Sequence, residues 1–231
     1  MTGTPKEKTN KHWTTWITSD IHFGHASCIN YCSRPFKDVN EFKEKFISDW
    51  NKLVKPEDLC IFVGDIFFYH SKDQMRETLS RMNGDRKILV KGNHDREHRD
   101  MMNSGFVLSV DEMTMRIAGE NVYFSHYPFK MREILFRWVK FKKRVFNTLR
   151  WLGFNAPYIN FEKYHERRPV DRGQFLIHGH THSKHKINGK AIHVGIDAWQ
   201  YKPVNIQEII KLMEGVKKDG PKYQRYDSNE D

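Results

Sequence analysis

The sequence predicts an α/β protein made of two packed β-sheets flanked by helices. Three observations carry this expectation: short apolar runs rich in β-branched and aromatic residues, intervening stretches with helical spacing, and tight-turn dipeptides between the later runs. A chain of 231 residues suits one such domain with an excursion and can bury a sizeable core.

The elements follow in order. Trp16-Ile17-Thr18 reads as the first buried strand. From Val39 to Leu53, the residues Phe42, Phe46, Ile47, Trp50 and Leu53 fall on one helix face. Leu59-Cys60-Ile61-Phe62-Val63 forms the next strand. Ser71-Lys72-Asp73-Gln74 has capping-box form, the serine and glutamine side chains each satisfying an opening backbone N–H, and starts a helix running to about Met82. Asn83-Gly84 breaks that pattern before the strand Ile88-Leu89-Val90. Ala118-Gly119-Glu120-Asn121 and Asn188-Gly189 read as hairpin turns. Val122-Tyr123-Phe124 and Phe175-Leu176-Ile177 supply further strands, and Asp197 to Trp199 is expected to close the second sheet. The domain is expected to span 1–213, leaving 214–231 as a charged, disordered tail.

No apolar run is long enough to span a bilayer, and Met1 to Lys11 lacks the apolar stretch of a secretory signal. Cys28, Cys32 and Cys60 are odd in number and lack zinc-site spacing, which points to reduced thiols and a cytoplasmic location.

Polar residues stand where the strands end. They are Asp20-Ile21-His22, Gly64-Asp65, Gly92-Asn93-His94-Asp95, His126 and Gly179-His180-Thr181-His182. Residues at the carboxyl ends of such strands face a common crevice, and hard oxygen and imidazole donors converging there suit a pair of divalent cations. Each group alone has an ordinary explanation. An Asp after a strand is usually a turn former or helix cap, Asn93-His94-Asp95 could be a polar loop, and the histidine cluster could be fortuitous. Five groups pointing one way are harder to dismiss. His178 is read as a strand end that packs or hydrogen-bonds, and His12, His70, His98, His165, His185 and His193 as surface residues or neighbours of the site.

These segments read D-x-H, G-D, G-N-H-D, H and G-H-x-H, and through them the chain resembles the calcineurin-like metallophosphoesterases. The motifs span Asp20 to His182, and Ser19 to His25 and Val194 to Trp199 are most similar to small bacterial and phage-encoded members. The resemblance implies a four-layer αββα sandwich of two mixed sheets. It also implies a ligand set: Asp20, His22, Asp65 and His182 for one metal, and Asp65, Asn93, His126 and His180 for the other. Asp65 would bridge them, since a carboxylate has two oxygens while an imidazole nitrogen serves one cation. Carboxylate, amide and imidazole donors without thiolates fit two divalent ions, Mn²⁺ first, with Zn²⁺, Fe or Ni²⁺ as alternatives.

Such a pair lowers the pKa of a shared water, which attacks phosphorus in line, and neutralises charge on the phosphoryl oxygens. The resemblance gives His94 the role of protonating the leaving oxygen, with His25 and Asn93 reaching the phosphate. One departure matters. Protein phosphatases of the family carry G-D-x-x-D-R-G, whereas this chain reads Gly64-Asp65-Ile66-Phe67-Phe68-Tyr69-His70. Phe68 stands where the supporting Asp would be and no Arg follows, which weakens the protein-phosphatase reading and the support for His94.

Lys130 to Arg172 reads as a basic helical insertion, with twelve Lys/Arg against four Asp/Glu in a chain of net charge +10. Ile134, Trp138, Phe141, Val145, Leu149 and Leu152 recur at helical spacing, and Gly153 should end that helix. It could hold nucleic acid, lie on an anionic membrane, or simply be a solvated helix. The expected function is hydrolysis of a phosphodiester, of a nucleotide or nucleic acid. A phosphomonoesterase, a phospholipid-type pyrophosphatase and a silent nucleic-acid-binding protein are the alternatives.

Overall fold

A computed structural model describes residues 13–68, 71–131, 133–154 and 164–223, excepting the side chains of 133–136. His12, His70 and the end of the tail from 224 lie outside the described residues.

Along the chain, β1 (Thr15–Thr18) leads through α1 (Ala26–Tyr31) and α2 (Val39–Leu53) to β2 (Leu59–Phe62). Next come α3 (Lys72–Ser80), β3 (Arg86–Val90), α4 (His98–Ser104) and β4 (Leu108–Val110). β5 (Glu112–Ile117) and β6 (Glu120–Ser125) form a hairpin, and α5 (Glu133–Trp151) follows. The chain ends with β7 (Phe175–His178), β8 (Ile187–Asn188), β9 (Ala191–His193), β10 (Val204–Asn205) and α6 (Ile206–Asp219).

Two mixed sheets result, ordered β10-β1-β2-β3-β4 and β5-β6-β7-β9-β8. β1 to β4 run parallel with β10 antiparallel at one edge, and β6, β7 and β9 are parallel between antiparallel outer strands. Facing apolar side chains, among them Ile17, Ile61, Val90, Val122, Phe124 and Ile177, fill the space between the sheets. Phe42, Phe46 and Trp50 of α2, with Met75 and Leu79 of α3, pack on Cys60, Phe62 and Leu89. Burying these large side chains, each worth roughly 1.5–3 kcal/mol, fixes the strand ends that carry the polar residues.

Local features fix where the elements begin and end. Asp38 caps α2 by accepting from the N–H groups of Asn40 and Glu41, and Ser71 and Gln74 form the capping box of α3. Ala118 and Gly119, at φ 47° and 84°, make the two-residue turn of the β5–β6 hairpin. Gly153, at φ 86°, ends α5.

Two expectations need correction. Asp197 to Trp199 does not close the second sheet: Ile196–Ala198 is a 3₁₀ turn, held by Ala198 N–H donating to the Gly195 carbonyl at 3.1 Å. A bridge between Gly195 and Ser19 carries the chain across to the first sheet instead. The tail boundary at Met213 also falls too early, because α6 continues to Asp219. Ile209 and Met213 are buried in the inter-sheet core, so that helix is anchored by packing. Among the described residues, no helix is long and apolar enough to cross a membrane.

Candidate metal centre

The crevice is formed by backbone that ordinary residues avoid. Asp20, His22, Asp65, His180 and His182 have φ of 57°, 55°, 56°, 73° and 48°. Left-handed conformations cost non-glycine residues on the order of 1–3 kcal/mol each and persist only where surroundings enforce them. Here they are enforced by zipped loops. The N–H groups of Asp20 and His22 donate to the carbonyls of Gly64 and Asp65, both at 3.0 Å. Close approach also demands glycine: a Cβ at Gly92 would collide with Asp65 Oδ1, and one at Gly179 with Ser19 Oγ.

The donors gather in two groups. Asp20, His22 and His182 each bring one donor atom within 4.8 Å of the others, and so do Asp65, His126 and His180. Asp65 joins the groups, its Oδ2 lying 3.7 Å from His22 Nε2 and 3.3 Å from His126 Nε2. Its Oδ1 accepts from the His94 N–H at 2.9 Å. Asn93 is half-buried on the same loop, and the His94 side chain is exposed at the rim.

Unpartnered atoms test whether metal ions fit. Buried polar groups in folded proteins nearly always have a partner. Yet both ring nitrogens of His22 and Oδ1 of Asn93 are buried without a hydrogen bond. Nitrogen and oxygen lone pairs converging beside buried carboxylates are the donor chemistry of divalent cations. The residues fit the group.

Each imidazole is oriented from behind. His126 Nδ1 donates to the Val63 carbonyl at 2.9 Å, which turns Nε2 toward Asp65 Oδ2, 3.3 Å away. His182 Nδ1 donates to Asp197 Oδ2 at 2.9 Å. Asp197 is in turn held by Arg34, whose Nε and Nη2 donate to its two oxygens at 2.9 and 2.8 Å. Arg34 also donates to the carbonyls of Asp20 and Ile21, both at 2.8 Å. One buried guanidinium thereby ties the first ligand loop to the support of the last. On the other loops, Asp95 accepts from the N–H groups of Asp65, Ile66 and Gly92 at 2.8, 2.9 and 2.9 Å.

These contacts set the charge states. Burial disfavours a charged Asp65, but neighbouring His126, His22 and His94 outweigh it and hold the carboxyl well below the usual carboxylate range. Burial likewise opposes charge on His126, and the Asp65 carboxylate overrides this, lifting the imidazole to about 9. Asp95 is pushed up by burial and by the charge of Asp65. Burial drives His178 down to about 3, and the ring donates from Nδ1 to the Gly179 carbonyl at 2.8 Å, behind the site. His193 is buried nearby, its Nε2 3.9 Å from Asp20 Oδ2.

His25 and His94 share the rim. The His25 ring stacks on Phe68 with centroids 3.8 Å apart, and Phe68 lies 5.2 Å from the His94 ring. Where protein phosphatases place a carboxylate, this chain therefore has an apolar plate against two imidazoles. His94 also lies 5.3 Å from His22 and 6.3 Å from His25. Arg34 and the supporting role of Asp197 were missed by sequence reasoning. A lone Arg carries no local signal, whereas Asp197 sits in the Val194–Trp199 segment already singled out.

Comparison with known proteins agrees with this geometry. The sequence profile of the calcineurin-like phosphoesterases matches residues 14–193. An uncharacterised protein of Methanocaldococcus jannaschii, MJ1445, is 28% identical over 207 residues, covering 86% of this chain and 90% of its own. The gene 66 protein of Mycobacterium phage L5 is 28% identical over 207 residues, covering 80% and 87%. A crystal structure of the protein of unknown function AQ665 from Aquifex aeolicus superposes with a TM-score of 0.57 at 25% identity, over 87% of this chain and all of that one. The match spans most of the chain and both donor groups. The chain belongs to the calcineurin-like phosphoesterases and is a metal-dependent phosphoester hydrolase.

Proposed function

We propose that the protein is a dinuclear phosphodiesterase acting in the cytoplasm, with Mn²⁺ the first choice of ion. Asp20, His22, Asp65 and His182 would hold one ion, and Asp65, Asn93, His126 and His180 the other. The observation that carries this reading is the convergence of His22 Nε2 and His126 Nε2 on Asp65 Oδ2, with both ring nitrogens of His22 buried and without a hydrogen bond. When bound, the ions supply an acidified water and positive charge for the phosphoryl oxygens.

The remaining work belongs to the chain. Asn93 and His25 contact the phosphate, and the exposed His94 gives a proton to the leaving oxygen. A diester is favoured over a phosphoprotein monoester because the D-R-G run is absent and Phe68 fills its place. A nucleotide-type diester is supported by Tyr164, half-buried and 5.8 Å edge-on from His180, with Arg167 5.7 Å over its ring. Such an aromatic and guanidinium pair suits stacking of a base. All three cysteines are free thiols, which fits a reducing cytoplasm.

The test is turnover of bis-p-nitrophenyl phosphate against p-nitrophenyl phosphate, after chelation and reloading with Mn²⁺, Zn²⁺, Fe²⁺ or Ni²⁺. Faster diester turnover, lost on chelation and in Asp65→Asn and Asn93→Ala, is expected. A preference for the monoester, or turnover unaffected by chelation, would overturn the proposal.

A further inference from the structure

Helix α5 carries an apolar stripe that stays exposed among the described residues. Val139, Phe146 and Leu149 are half-buried. Trp138, Phe141, Val145 and Leu152 form a second row at three- and four-residue spacing, with 57%, 64%, 38% and 55% of their surface exposed. Trp151, just beside it, is 83% exposed. Large apolar side chains aligned in this way on a soluble surface mark an interaction site.

The charges around the stripe narrow the partner. Arg137 and Arg144 flank it on one side by helical geometry, and Lys142 on the other, its Nζ 4.4 Å over the Trp138 ring. From Ile134 to Phe161 the sequence contains six Lys/Arg and no acidic residue. A second copy of the helix would set Arg137, Lys142 and Arg144 along the stripe against their counterparts, like charge facing like charge. Nucleic acid would be met by the flanking cations and by stacking of a base on Trp138 or Phe141, but it gives no partner to Val145 and Leu152. An anionic lipid surface satisfies both features, because acyl chains take up the apolar row while basic side chains reach the headgroups.

We propose that α5 docks the protein on an anionic phospholipid bilayer, lying in the plane of the interface with the Trp138–Phe141–Val145–Leu152 row inserted. Docking is peripheral, and the cytoplasmic leaflet carries the required charge. The proposal does not depend on which phosphodiester the metal centre hydrolyses.

The test is co-sedimentation of the full chain with vesicles of phosphatidylcholine, with and without phosphatidylglycerol. The expected result is binding to the anionic vesicles, weakened by salt and slight on neutral ones. The double variant F141S/L152S should bind the anionic vesicles at least about tenfold more weakly. R137E/R144E should lose the preference for anionic lipid. Because these residues lie outside the metal centre, both variants should keep wild-type turnover of a small chromogenic diester, a check that they fold. The idea fails if the wild type does not sediment with anionic vesicles, or if F141S/L152S sediments as well as it does. It also fails if the stripe substitutions instead abolish self-association or single-stranded oligonucleotide binding and spare vesicle binding.

Discussion

The two halves of the metal centre are supported from behind by different chemistry. In the Asp20, His22 and His182 half, His182 leans on a carboxylate that a buried arginine clamps with two hydrogen bonds. In the Asp65, His126 and His180 half, His126 leans on a backbone carbonyl, part of the strand-end architecture itself. A carboxylate behind an imidazole strengthens its basicity and can be removed by a single substitution, whereas a backbone carbonyl cannot. The first half is therefore tunable and vulnerable; the second is as robust as the fold.

Substitutions can break this contrast, and the largest effect belongs to Asp65, the proposed bridge. Asp65→Asn should remove both ions together and lower diester turnover by at least about 10³-fold. Metal content by mass spectrometry checks it, and retention of one full equivalent would count against a shared bridge. His94 belongs to neither half. His94→Gln should slow hydrolysis of a diester with an alkyl leaving group by about 10²-fold while leaving metal content intact. With p-nitrophenolate, which departs without a proton, the loss should be far smaller. Equal losses for the two substrates would remove His94 from the proton-donor role.

Asp197→Asn sharpens the contrast directly. It should weaken one ion by about 10–100-fold and leave the other unchanged, read as two separated steps in a Mn²⁺ titration. Parallel weakening of both would mean that the halves are not independently supported. Arg34→Leu leaves the buried Asp197 carboxylate with only His182 as a partner and should cost about 3–5 kcal/mol of stability in urea unfolding.

The smallest effect is on acid stability. Burial opposes the Asp197 carboxylate, but hydrogen bonds from His182 and Arg34 outweigh it and hold its pKa well below the usual range. As pH falls, the unfolded chain therefore takes up this proton first. The stabilisation is present above the unfolded value of about 3.9 and is lost progressively as pH falls from there through the lower folded value. Thermal melts of wild type and Asp197→Asn should converge as the pH falls below about 4.

Much of this was legible from residue patterns, and the reasons differ by element. α2 and α3 announce themselves through a one-face apolar row and a capping box, which are local signals. The donor segments were readable because each follows a buried strand and their residue types converge on one chemistry. Arg34 acts on Asp197, which is distant in sequence and brought near only by folding. Helix α6 had a usable signal in Ile206, Ile209, Ile210 and Met213, overlooked because the chain beyond Met213 is rich in charge. The left-handed backbone at Asp20, His22 and Asp65 left no trace, since those residue types are chosen for their donor atoms rather than for their conformational ease.

Anomalous diffraction from crystals grown with Mn²⁺ addresses the central claim most directly. Two peaks a few ångströms apart on either side of the Asp65 carboxylate, one beside His22 and His182 and the other beside His126 and His180, are the predicted result. A single peak, or peaks elsewhere on the surface with the Asp65 carboxylate untouched, would contradict it.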